Sequence, residues 1–155
     1  MEYLFVKWLH IISSTILFGT GLGSAFYKWR ADSSNNIPTI AHTNKLVVTA
    51  DWIFTTPTVI LQPLSGIWLV NILGYAFNES WLLATYSLYF IAGVCWLRVV
   101  WLQIVMRDIS NQLMASNTPL SSAYYSYCRQ WFWLGVPAFI SMILIFLLMV
   151  FKPSF

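Results

Sequence analysis

Four long apolar stretches, almost free of charge, decide what this chain can fold into. They run from about Tyr3 to Trp29, Lys45 to Leu73, Trp81 to Met106 and Gln130 to Phe151. At 1.5 Å per residue each is long enough to cross a hydrocarbon core of about 30 Å as a helix. The runs are continuous and lack the period-two alternation of membrane strands. The expected fold class is therefore all-α, a polytopic membrane protein built as a four-helix transmembrane bundle. Only 8% of the 155 residues are charged and 59% are hydrophobic, against about a quarter charged in a soluble domain. Such a surface excludes a soluble enzyme and a nucleic-acid binder. Disorder is excluded too, since it needs low hydrophobicity and high charge.

Between the stretches lie three connections. Residues 30–44 hold Ser33, Ser34, Asn35, Asn36 and Pro38, a polar turn-rich set. Residues 74–80 are short, which makes the second and third helices antiparallel neighbours. Residues 107–129 carry Asn117, Thr118 and Pro119 as a breaker, and the Tyr- and Ser-rich run from Leu120 to Tyr127 is expected at the interface. Lys28, Arg30, Lys45, Arg107 and Arg129 gather on one side, Lys7 and Lys152 on the other. By the positive-inside rule, loops 30–44 and 107–129 are cytoplasmic and both termini face the exterior of a cell's inner (plasma) membrane. The net charge of +3 is then a topology signal rather than a binding patch. The first stretch is too long for a cleaved signal peptide and is expected to be a permanent helix. Cys95 and Cys128 show no metal spacing and read as small apolar fillers.

Ionisable residues deep in lipid are costly, and each is a functional candidate. His10, Asp51 and Arg98 stand out. Arg98 lies roughly 12 Å inside one end of the third helix, and Asp51 lies in the same third of the second. A buried ion pair between them is the simplest way to carry both, either as a clamp on helix register or as part of a proton or anion path. Gln103 is placed to join that network. His10 is about 9 Å inside the opposite end of the first helix. At similar depth fall Gln62, Ser65, Tyr86, Tyr89, Ser141 and Met142. Neutral imidazole is a good ligand for haem iron. The alternative for His10 is a packing role with a hydrogen bond to a neighbouring hydroxyl or carbonyl. His42, the other histidine, sits about a membrane thickness away, so one haem cannot bridge both. That leaves five-coordinate haem, a Met or Tyr partner, or His10 paired across a homodimer.

Two backbone features complete the reading. Gly19 and Gly23 form a GxxxG stripe, extended outward by Thr15, that would suit a neighbouring helix, a homodimer partner or a porphyrin edge. Pro57 and Pro63 each remove an amide donor and free a carbonyl one turn earlier. The second helix should kink or unwind there, with Thr55, Thr56 and Gln62 available to the freed groups. A kink also opens a cavity beside it.

The runs Lys7-Trp8-Leu9-His10, Ala50-Asp51-Trp52-Ile53-Phe54-Thr55, Leu61-Gln62-Pro63-Leu64-Ser65-Gly66 and Trp101-Leu102-Gln103-Ile104 resemble the integral membrane proteins grouped as domain of unknown function 2269. The resemblance covers essentially the whole chain and implies no activity. More distantly, the chain is similar to HemJ-type protoporphyrinogen oxidases, small helical membrane proteins that bind haem b. The shared features are Leu9-His10 followed by Gly19, Pro57 followed by Gly66-Ile67-Trp68-Leu69, and Arg129, Pro137 and Lys152-Pro153. This similarity implies that His10 is the haem-ligand position. Two departures stand against the oxidase activity itself: the third helix has no histidine, and the basic position early in the second helix is replaced around Asp51. CopD-type copper proteins share the early Leu-His pair, but no His or Met ligands cluster on the exterior face here. The expectation is a b-type haem protein with His10 as metal ligand and Gly19, Gln62, Gly66 and Met142 as further cofactor contacts. It would be embedded in the lipid bilayer and exchange electrons with a membrane redox partner. The competing expectation is a cofactor-free structural, accessory or transport subunit.

Overall fold

The computed structural model describes residues 1–153. All its regular structure is helical: α1 (Glu2–Ser33), α2 (Ile37–Ala50), a π-helical turn (Asp51–Thr55), α3 (Thr56–Leu73), α4 (Ser80–Ser116) and α5 (Ser122–Phe151). α2, the π turn and α3 form one continuous rod of 37 residues, so the described chain makes four helices long and apolar enough to span a membrane. These helices are longer than the apolar stretches. α4 has 37 residues, or roughly 55 Å at 1.5 Å per residue, well beyond the ~30 Å lipid core.

The segments expected as long loops are mostly helix. Of residues 30–44 only Ser34, Asn35 and Asn36 lie outside helices, and of 107–129 only residues 117–121 do. The reason is local. Asn36 caps α2 by accepting a hydrogen bond from the Thr39 amide at 3.0 Å, and Pro38 falls in the first turn, where its missing N–H costs nothing. Ser121 caps α5 in the same way through the Tyr124 amide. Helix ends are set by left-handed residues: Gly74 (φ 70°) after α3 and Asn117 (φ 51°) after α4.

Polarity is inverted relative to a soluble protein. Ser13, Asn44, Thr58, Gln62, Ser65, Thr85, Gln103, Ser110 and Ser141 are buried, while Leu4, Phe26, Trp29, Trp52, Leu64, Phe90, Leu97 and Trp133 are exposed. An outward apolar surface with inward hydroxyls and amides suits a bilayer, where interhelical hydrogen bonds replace the hydrophobic effect. α1 packs on α3, α4 on α5, and α2 against both α1 and α4. Two apolar clusters close the ends of the bundle. Ile40, Leu102, Met106, Tyr124 and Trp131 pack at the end holding Lys28. Val70, Trp81, Leu82 and Leu148 pack at the end holding the N-terminus. At that second end Trp68 donates to the Glu2 carboxylate at 2.8 Å, and Lys152 donates to the Tyr75 hydroxyl at 2.9 Å. Between the clusters the helix pairs α1/α3 and α4/α5 separate, and a cleft opens.

The expected disturbance of the second membrane helix is present as the π turn, in which the Thr56 amide reaches the Asp51 carbonyl five residues back. The freed carbonyls find partners other than those expected. Pro63 releases the Val59 carbonyl, which accepts the Tyr89 hydroxyl from α4 at 2.5 Å. The Thr58 hydroxyl back-bonds to the Phe54 carbonyl at 2.7 Å within the same stretch.

Candidate functional site

Three polar groupings lie inside the bundle. The first surrounds His10. Its Nδ1 is 2.8 Å from the Ser65 Oγ, and the Ser65 hydroxyl is 2.7 Å from the Leu61 carbonyl. A serine has one proton to give. With that proton on the Leu61 carbonyl, Ser65 accepts from His10 Nδ1–H, and Nε2 carries the lone pair. Nε2 makes no hydrogen bond within the described residues. Gln62 donates to the His10 carbonyl at 2.8 Å and also to the Ser13 hydroxyl. Gly66 lies under the ring: a Cβ there would stand 3.4 Å from His10 Cε1. Thus α3 presents Gln62, Ser65 and Gly66 on one face and fixes the imidazole of α1 from below.

The second grouping is centred on Lys28, which is 0% exposed. Its ammonium donates to Asp32 at 3.0 Å, Asn44 at 2.8 Å and the Tyr124 hydroxyl at 3.4 Å. Asn44 donates onward to Ser110 at 3.1 Å and Tyr124 at 2.9 Å, and Tyr124 donates to Asp32 at 2.7 Å. The Cys128 thiol also faces Asp32 at 3.5 Å, so it is more than an apolar filler. All four membrane helices contribute, and the three donors of the ammonium are all used. From sequence alone Lys28 reads as a topology residue and Tyr124 as interfacial. The available signal was the Lys28/Asp32 spacing of four residues.

The third grouping contains Asp51. The expected ion pair with Arg98 does not form. Asp51 Oδ1 accepts the Thr55 hydroxyl at 2.8 Å, and the Gln103 amide faces the same carboxylate, as expected of Gln103. Arg98 is on the outer face of α4, its guanidinium 4.0 Å over the Trp101 ring. Both residues have the depth that suggested a pair, but helical rotation points Arg98 away from α2 and α3. The described ion pairs are Lys28–Asp32 and Arg107–Asp108.

Asp51 and Gln103 belong to the wall of the central cleft, whose volume is about 510 Å³. Its remaining surface is nearly all apolar, and includes Phe18, Trp96, Trp131, Phe139 and Met142. Phe18 stacks on Phe139 (5.2 Å between centroids) and meets Phe146 edge-on, joining α1 to α5 across one side. Of the expected cofactor contacts, the structure brings Gln62 and Gly66 to His10 but not the others. Met142 lines the cleft, which His10 does not border. Gly19 is exposed, and neither Gly19 nor Gly23 has any atom within 4 Å of an added Cβ. Their stripe therefore packs against no helix of its own chain. His42 is exposed on α2. Among the described residues no three His, Cys, Asp or Glu side chains gather into a metal-binding group.

Fold and interior together define a polytopic α-helical membrane protein with polar groups turned inward around a lipophilic cleft. A family of predicted integral membrane proteins, DUF2269, matches residues 4–153, and the chain belongs to that family. No curated protein and no solved structure gives a significant match.

Proposed function

We propose that this chain is a b-type haem-binding membrane protein with an electron-transfer or oxidoreductase role, and that His10 is its axial ligand. The observation that carries the reading is the His10 ring held at Nδ1 by Ser65 with Nε2 left without a hydrogen-bond partner among the described residues; with the Ser65 proton on the Leu61 carbonyl, Nε2 is the nitrogen that bears the lone pair. A ligating histidine normally has its second nitrogen held in this way, which sets tautomer and ring direction. The donor set fits the cofactor. A neutral imidazole is a good axial ligand for haem iron, and the porphyrin itself supplies the other four nitrogens. Haem, when bound, would supply one-electron chemistry at a potential tuned by its axial ligand and burial. The chain's part is to present an unprotonated imidazole, to hold it through Ser65, and to leave the Gly66 side flat.

The positive side chains near Lys28 support a cytoplasmic position for that end and an exterior position for both termini in an inner (plasma) membrane. The outward Gly19/Gly23 stripe supports a homodimer through α1, which could also bring a second ligand to the iron. A membrane redox partner would complete the electron path. The second reading, a cofactor-free accessory or transport subunit, also draws on that stripe, because a surface left unpacked within the chain suits another subunit. Protein purified in mild detergent from haem-sufficient cells separates the two. A Soret band, or one that appears on stoichiometric addition of haem, supports the first. A preparation still colourless after haem is added overturns it.

A further inference from the structure

We propose that the central cleft binds a lipophilic molecule whose head is a hydroxylated aromatic ring, of the alkyl-hydroquinone or alkyl-phenol type, taken from the bilayer. Among the described residues, the enclosed side-chain polar atoms without a partner are Asp51 Oδ2, Gln103 Oε1, Trp96 Nε1 and Trp131 Nε1. All four residues line this one cleft. Asp51, Gln103 and Trp131 are only 5%, 4% and 9% exposed. A buried polar group left unpaired costs about 1–3 kcal/mol, and more when charged. The same interior satisfies every donor of Lys28, so the orphans do not reflect an interior that neglects its polar groups generally.

The orphans also specify a chemistry. Two are acceptors, one of them a carboxylate, and two are N–H donors. An ammonium would serve Asp51 and leave both indoles unpaired. An anion would serve the indoles and be repelled by Asp51. A hydroxyl both donates and accepts, and a ring with two hydroxyls can address both kinds of group. The apolar walls agree. Gly21, Gly93 and Gly135 line the cleft from three helices, and an added Cβ at any of them meets nothing within 4 Å. That leaves room for a flat ring against backbone beside Phe18 and Phe139. A volume of about 510 Å³ lies within the ordinary range for small-molecule sites. Phe26, Trp29 and Phe132, at the cleft's margin, are all more than half exposed on the lipid-facing surface. A ligand already dissolved in the bilayer can therefore enter without crossing water. His10 is no part of these walls, so the site stands whether or not haem is bound at the other end.

The test is equilibrium binding of a decyl-substituted 1,4-hydroquinone to the full chain in lipid nanodiscs, with empty discs as reference. Saturable binding at one site per chain is expected. The dimethyl ether of the same compound, which cannot donate, should bind at least about tenfold more weakly, the scale of one lost hydrogen bond to a charged group. Asp51→Asn should weaken the hydroquinone by a similar factor. Gly135→Leu should fill the cleft and abolish binding while leaving the unfolding midpoint unchanged or raised, since leucine is the better helix former. If Asp51→Asn does not fold, Gly135→Leu and the ether decide the matter. Non-saturable partitioning, equal affinity for ether and hydroquinone, or full binding to folded Gly135→Leu would each overturn the proposal.

Discussion

The Lys28 cluster and the rim around Asp51 are both buried, charged and surrounded by the same lipid-facing shell, yet one is closed and the other is open. At Lys28 a cation with three protons meets a carboxylate, an amide oxygen and a phenol, and the surplus lone pairs of those groups are taken up by Asn44 and Tyr124. At Asp51 a carboxylate meets one hydroxyl and one amide and keeps an oxygen unpaired. Depth alone does not separate them. What differs is whether four helices bring complementary groups or two helix pairs part to leave a space. A saturated network locks helix positions, whereas an unsaturated one beside a cleft is a place for something else to bind.

The closed side carries the largest expected effect. Asp32→Ala strips the fully buried Lys28 of its carboxylate and should destabilise the bundle by about 3–5 kcal/mol, measured by unfolding in mixed micelles. A loss below about 1 kcal/mol would mean that the cluster is not a lock. Asn44→Leu should cost about 2 kcal/mol, because Lys28, Tyr124 and Ser110 each lose a partner. The smallest effect concerns the pair that does not form. Asp51→Leu and Arg98→Leu should combine additively to within about 0.5 kcal/mol in a double-mutant cycle. A coupling well above that would put Arg98 back against Asp51.

Much of this architecture was legible in the sequence, and the limits have physical causes. Four continuous apolar runs give four spanning helices because lipid permits little else. Pro57 and Pro63 announced a disturbed second helix, and the π turn lies at that place. His10, Gln62 and Ser65 stand out by depth, and depth along a helix is readable from residue counts. Direction around a helix is not, since a membrane helix is apolar on all sides and its moment carries little information. That is why Asp51 and Arg98 read as partners and why Met142 reads as a neighbour of His10. Lys28 went unrecognised for a related reason: a lysine near a helix end is ordinarily a topology signal, and only the fold shows that Asn44 and Tyr124 close over it. The helix ends were misjudged because Asn36 and Ser121 caps extend α2 and α5 into segments whose polarity resembles loops.

His10 is proposed to offer its Nε2 to haem iron from a ring held by Ser65. The most direct measurement is the visible absorption spectrum of haem-loaded protein compared with that of His10→Ala. The claim predicts that the substitution abolishes the Soret band or shifts it strongly, while circular dichroism shows the helical bundle intact. A folded His10→Ala protein with an unchanged Soret spectrum would place the ligand elsewhere and contradict it.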